Sequence, residues 1–253
     1  KLDTAGDYWM AFSVRGAALN QQPLYAARYD AATHQWVTPT QLFDSGAGYQ
    51  GASILGAALD QGGDFNLLTQ SGQRLVRHRI QTSLSATATT LAQDLPVGMT
   101  RAAIDATGNI LLAYARNTHI VGRFLTSGSL AWTEEHTLEA APGANIELSV
   151  DIVDGIGAVA WSTGTGWDED STNYSGYTLK VARFTRSGWT AAHIINPNTR
   201  SDERPSVLVV EDGVLLLWAG FNGTNPEADT LYFARYSAER WSDAATLQQG
   251  QRR

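Results

Sequence analysis

LYAARY (24–29), LVRHRI (75–80), HIVGRF (119–124), LKVARF (179–184) and LYFARY (231–236) are versions of one segment, and they recur along the whole chain. Their anchoring arginines, Arg28, Arg79, Arg123, Arg183 and Arg235, are separated by 51, 44, 60 and 52 residues, the range of propeller blades and kelch-like units. Before each arginine lies a hairpin signal in which Asp precedes Gly: Asp3 to Gly6, Asp60 to Gly63, Asp105 to Gly108, Asp154-Gly155 and Asp212-Gly213. A short apolar run follows each signal, Tyr8 to Phe12, Phe65 to Leu68, Ile110 to Tyr114, Ile156 to Trp161 and Val214 to Trp218, and reads as a buried strand. Past the arginine comes a tryptophan, Trp36, Trp132, Trp189 or Trp241, in every unit but the second, which carries Leu84 to Thr90 instead.

Each unit thus supplies up to four short antiparallel strands, A to D. In unit four they are predicted at Ile146 to Val150, Ile156 to Ser162, Thr178 to Phe184 and Trp189 to Ile195. A sheet of this kind has two apolar faces and needs neighbours on both, which radial stacking supplies while leaving only short edges. The expectation is an all-β, single-domain β-propeller over 1–253, with five blades at about 1–43, 44–93, 94–140, 141–197 and 198–253. The first hairpin signal starts at Asp3, so the A strand of blade one is expected to be missing, and a larger ring stays open.

The residue before the anchoring arginine is small in four units (Ala27, Gly122, Ala182, Ala234), and the residue after it is aromatic in the same four (Tyr29, Phe124, Phe184, Tyr236). Positions two apart on a strand share a face, so a small residue beside a large ring is a sheet-packing device. Unit two has His78 and Ile80 there and is expected to be the irregular blade. The arginines occupy the same place in every unit, as a structural device does. Each is expected to span a strand or blade junction by pairing with a carboxylate or a backbone carbonyl.

With 253 residues, 43% of them apolar, there is ample core for one β domain. A net charge of −7 with two lysines argues against nucleic acid or an anionic membrane as partner. No apolar run approaches the length that spans a membrane as a helix. The absence of cysteine excludes disulfides, zinc thiolates and cysteine nucleophiles. The five histidines are scattered, so no metal site is expected of them, and they read as surface or strand residues.

The sequences AIDATGNILLAY (103–114) and LYAARYDAATHQW (24–36) resemble the secreted bacterial propeller repeats related to the sialidase superfamily. That resemblance implies an extracellular, periplasmic or surface-attached protein. It stops short of an activity: none of the five turns matches the sialidase Asp box, Ser-x-Asp-x-Gly-x-Thr-Trp. Five-bladed glycosidases of the arabinanase type place carboxylates on the first strands of their blades. The corresponding stretches here offer Glu147 and Glu203, with Arg101 and Arg204 to orient a substrate.

Function is expected where the units differ, in the B–C and D–A connections of blades four and five. The loop 162–177 carries Trp167, Asp168, Glu169, Asp170, Tyr174 and Tyr177. The loop 220–229 carries Phe221 and Asn222, and the link 196–205 adds Arg204. Rings beside carboxylates and amides suit sugar recognition by stacking and by hydrogen bonds to hydroxyls. Asp168, Glu169 and Asp170 raise a calcium site as well, against the simpler reading of a solvated acidic loop, and no cofactor is otherwise expected. The residues favour an exported binding module for a glycan or a protein partner. A propeller glycosidase and a structural spacer are the alternatives.

Overall fold

The computed structural model describes residues 6–13, 23–43, 52–97, 99–129, 131–164, 177–195, 202–221 and 229–249. Among them no helix occurs, so none is long and apolar enough to cross a membrane. Five antiparallel sheets follow one another along the chain. The first holds β1 (Tyr8–Ser13), β2 (Leu24–Asp30), β3 (Gln35–Trp36) and β4 (Thr40–Phe43); the second holds β5 (Ala52–Leu59), β6 (Phe65–Ser71), β7 (Arg74–Ile80) and β8 (Ala86–Ala92). The third comprises β9 (Thr100–Ile104), β10 (Ile110–Arg116), β11 (His119–Leu125) and β12 (His136–Ala140). In the fourth are β13 (Ala144–Val153), β14 (Ile156–Gly164), β15 (Thr178–Thr185), β16 (Gly188–Trp189) and β17 (His193–Ile194). The fifth has β18 (Asp202–Val210), β19 (Gly213–Phe221), β20 (Asp229–Ser237), β21 (Arg240–Trp241) and β22 (Ala245–Gln249). This is an all-β propeller with five blades. In the first sheet β1 stands at the B position, and among the described residues it pairs only with β2.

In sheets two to five the Asp-Gly signals are hairpin turns between the first and second strands, while residues 1–5 of the first signal lie outside the described residues; in sheets two and three the aspartate builds the turn. Asp105 Oδ1 accepts the N–H groups of Thr107 at 3.0 Å and Asn109 at 2.9 Å, while Gly108, at φ +89°, donates its N–H to the Asp105 carbonyl at 3.0 Å. Asp60 repeats the arrangement with Gly62 and Asp64, and Gly63 sits at φ +82°. The fourth sheet uses a tighter version, in which Asp154 and Gly155 at φ +50° and +75° join the paired residues Val153 and Ile156.

Unit two is the irregular member in sequence, yet its outer strand is continuous: β8 pairs with β7 from Ile80–Ala86 to Leu75–Ala92, with one register shift. Three of the four tryptophan-bearing units are the ones that break. In sheets one, four and five the outer edge splits into a two-residue piece holding the tryptophan and a second piece, both on the same long neighbour. The predicted D strand of unit four, Trp189 to Ile195, is therefore β16 plus β17. The break has a local cause. The residue after the tryptophan donates its N–H to the anchoring arginine's carbonyl, Val37 to Arg28, Thr190 to Arg183 and Ser242 to Arg235, at 2.8–2.9 Å. Thr190 and Ser242 also accept that arginine's N–H on their hydroxyls at 3.0 Å. Side-chain hydroxyls that take ladder amides interrupt the ladder.

By contacts the chain forms two compact units, one of Lys1–Gly98, Ala102–Ile110 and Leu125–Ala131, the other of Met99–Arg101, Leu111–Phe124 and Trp132–Arg253. In the first, Trp9, Leu24 and Ala26 pack on Phe65, Leu67 and Ile80, with the Trp9 and Phe65 rings stacked at 5.4 Å. There Gly56 admits the backbone of Ala102: a Cβ at that position would lie 2.6 Å from its carbonyl oxygen. In the second, Ala158, Ala160, Leu179 and Val181 of sheet four pack on Val207, Val209, Leu216 and Trp218 of sheet five. The small residue before the anchoring arginine has its reason here, since a Cβ on Gly122 would lie 2.5 Å from the Trp189 ring. Phe124 stacks on Phe184 at 4.4 Å beside it.

Three anchoring arginines meet carboxylates of the hairpin turn before them. Arg28 lies 3.8 Å from Asp7, Arg79 lies 3.3 Å from Asp60 and 2.9 Å from Asp64, and Arg235 pairs with Asp212. The hydrogen bond and charge of Arg235 hold the Asp212 carboxyl below its ordinary range. Arg123 donates to the Thr133 carbonyl at 3.2 Å. Arg183 departs from the expected pairing and rests 4.0 Å over the Tyr236 ring, where the ring's negative face replaces a counter-ion.

Candidate functional site

In the second compact unit, the ends of β10, β14 and β19 and the starts of β11, β13, β15, β18 and β20 mark the side where the B–C and D–A connections emerge. Trp167, Asp168, Asp170, Tyr174 and Asn222 lie outside the described residues, as do Glu169 and the calcium cluster it belongs to. Among the described residues no cluster of His, Cys, Asp and Glu could hold a metal ion. Phe221 is placed as the last residue of β19, opposite Asp229. Tyr177 immediately precedes β15, and its ring lies against Gly164 at the end of β14, where a Cβ would come within 2.9 Å of it. Arg101 is exposed on β9 and turns its guanidinium to the Thr100 carbonyl at 2.9 Å.

Glu147 and Glu203 come to neighbouring strands. Alternate residues of β13 point at β18 and accept its backbone amides: Glu147 from Arg204, Ser149 from Val207 at 3.0 Å and Asp151 from Val209 at 2.7 Å. The donors step by three and then by two because β18 is irregular between Glu203 and Ser206. Pro205 has no N–H to offer there, and Arg204 beside it adopts φ +54°. A left-handed conformation of a residue with a side chain costs about 1 kcal/mol, and the Glu147 carboxylate on its amide supports it. Glu147 is thereby engaged in holding the D–A link. Glu203 occupies the preceding position on β18, opposite Ala219.

Two further clusters on this side escaped the sequence reading. Glu139 on β12 accepts from the Trp161 indole N–H and pairs with Lys180, so one carboxylate ties β12 to β14 and β15. Trp161 and Lys180 are cross-strand partners on one face of sheet four, while Ser162 and Leu179 point to the other. On β10, Tyr114 donates its hydroxyl to Glu135, which also pairs with Arg116 at 3.1 Å. The Arg116 guanidinium lies 5.1 Å over the Tyr114 ring. Burial, helped by the Glu135 hydrogen bond and charge, pushes the Tyr114 hydroxyl up to about 12, so it is a neutral donor at neutral pH. The signal for Lys180 was present in the sequence, since it and Lys1 are the chain's two lysines, but its partner lies 41 residues away. Two buried hydroxyls nearby, Ser162 Oγ and Thr230 Oγ1, make no hydrogen bond among the described residues.

Among solved structures the chain is similar to a PL25 ulvan lyase, with a TM-score of 0.66 and 11% identity over 99% of this chain and 69% of that one. A second structure of that lyase, bound to -[GlcA(1-4)Rha3S]-, matches at TM-score 0.65 and 10% identity. The fold shared with these structures is a β-propeller. The NanB sialidase of Streptococcus pneumoniae matches at TM-score 0.51 and 11% identity, over 81% of this chain and 33% of that one. A leech intramolecular trans-sialidase matches at 0.50 and 13%, over 85% and 36%. No protein-family model matches the chain, and no curated protein sequence matches it. At these identities the likeness is one of fold.

Proposed function

We propose that residues 1–253 act as one exported propeller domain that binds a glycan through the B–C and D–A connections of blades four and five. The observation that carries this reading is a contrast between the two sides of the blades. On the hairpin-turn side, Asp7 with Arg28, Asp60 with Arg79 and Asp212 with Arg235 repeat in the same place, as scaffolding does. On the other side, Glu139 with Lys180, Glu147 with Arg204, and Tyr177 occur once each. The similarity to a lyase seen with an acidic, sulfated disaccharide supports a glycan over a protein partner.

Titration of the full chain with acidic and neutral polysaccharides, followed by calorimetry, tests the reading. Saturable binding to at least one is expected. Trp167→Ala and Tyr177→Ala should each weaken it about ten-fold, the loss of one ring's apolar contact, while Asp212→Asn should leave it unchanged. A chain that binds none of the panel is not a glycan module.

A propeller glycosidase or lyase is the second reading, favoured by Glu203 standing next to the residue whose amide Glu147 holds. In that case the chain depolymerises one of the polysaccharides, and Glu203→Gln abolishes turnover while binding persists. A binding module shows no turnover in either form.

A further inference from the structure

Within the first compact unit, at the hairpin-turn end of its sheets, a cleft of 320 Å³ opens between the outer half of sheet two and the turns of sheet three. Arg77 and Arg79 are two apart on β7 and so share a face; Thr89 and Thr87 stand opposite them on β8. The other face of this sheet, with Phe65, Leu67 and Ile80, is committed to the apolar core. The far wall of the cleft is Gly108 and the segment from Leu125 to Ser129.

The two arginines are not equivalent. Arg79 is exposed and has its counter-ions, Asp60 and Asp64. Arg77 is half-buried and donates Nε and Nη2 to a neutral acceptor, Asn66 Oδ1, at 2.9 and 2.7 Å. Among the described residues no carboxylate lies within ion-pair distance of it. Burial, and then the charge of Arg79, disfavour its protonated form, and the charge of Asp60 favours it only in third place. Its guanidinium lies along Gly108: a Cβ there would be 3.3 Å from Nη2 and 3.6 Å from Nη1. That wall is held in place, because Asp105 organises the turn and Asn109 accepts the Ser127 N–H at 2.9 Å. A fixed, partly desolvated cation with no carboxylate in direct ion-pair contact among the described residues, beside hydroxyls lining a preformed cleft, is what an oxyanion site requires.

We propose that this cleft binds an oxyanion, a carboxylate, sulfate or phosphate group, which pairs with Arg77 and meets the hydroxyls of Thr87, Thr89 and Ser129. The cleft's volume admits a group up to the size of a single acidic sugar. The site is independent of the glycan reading, since it belongs to the other compact unit and shares no residue with it.

The test is titration of the full chain with sodium sulfate, sodium phosphate and sodium glucuronate, each against sodium chloride of matched ionic strength, followed by amide chemical shifts. At least one of the three is expected to bind saturably, and the tightest identifies the source of the oxyanion. Arg77→Gln should weaken it at least about ten-fold, the loss of a charge-assisted hydrogen bond. Thr87→Glu, an exposed change that sets a carboxylate at the cleft, should weaken it similarly through like-charge repulsion; it decides the matter alone if Arg77→Gln does not fold. Arg240→Gln, exposed on β21 and outside the cleft, should have no effect. Absence of saturable binding by all three, or binding unchanged in a folded Arg77→Gln and in Thr87→Glu, overturns the proposal.

Discussion

Blades two and four solve the same problem with opposite means. In blade four, Trp189 fills the space over Gly122 and the hydroxyl of Thr190 takes the Arg183 amide, so the outer strand is broken and the arginine faces a ring. In blade two there is no tryptophan; the outer strand runs on, His78 fills the place of the small residue, and Arg79 is met by two aspartates. The repeat therefore conserves a geometry rather than a set of contacts. One position holds Gly in blade three, under the Trp189 ring, and His in blade two, bonded to Thr69.

The sharpest way to break the comparison is to remove the ring. Trp189→Ala should destabilise the protein by about 3 kcal/mol, whereas Trp36→Ala, whose ring is mostly solvent-exposed, should cost about 0.5 kcal/mol or less, both read from urea unfolding. Equal effects would mean that the tryptophans do not pack between sheets.

A smaller effect comes from blade two. His78 is buried, shares a hydrogen bond with Thr69 at 3.1 Å, and burial holds it at about 4, below its ordinary 6.5. The unfolded chain protonates this ring first as pH falls, so the stability from its neutral form is whole above pH 6.5 and is lost on descent toward pH 4. About 2 kcal/mol should go between about pH 6.5 and about pH 5. His78→Gln should flatten that part of the unfolding profile, and an unchanged slope would place the titration elsewhere.

The smallest difference separates the arginines. Arg79→Gln breaks an exposed pair and should cost about 1 kcal/mol or less, with salt reducing the gap from the parent protein. Arg183→Gln loses a contact with a ring face, and its cost should respond far less to salt.

The residues explain how much of this was readable. Strand order, hairpins and the structural arginines were legible because each unit repeats its grammar within about 50 residues, and Asp-x-x-Gly turns are local hydrogen-bond devices. The broken outer strands were legible only in part. A hydroxyl follows the tryptophan in Trp132-Thr133, Trp189-Thr190 and Trp241-Ser242, a signal present in the chain but without meaning until the amide it accepts, of Phe124, Arg183 or Arg235, is located. Of the candidate site, Glu147 and Arg204 were named for orienting and catalytic roles, and the structure joins them through a backbone amide 57 residues distant. Glu139 and Tyr114 were passed over because their partners come from other strands.

From sequence alone came the repeat, the all-β fold and the exclusions that the absence of cysteine carries, no disulfide and no thiolate metal site. These depend on spacing and on residue types, which the chain carries explicitly. Which carboxylates are engaged, which arginine has no carboxylate in direct ion-pair contact among the described residues and which glycine admits a tryptophan were decided by tertiary structure. Each depends on groups that folding brings together from distant positions, and no local pattern encodes a distance between them.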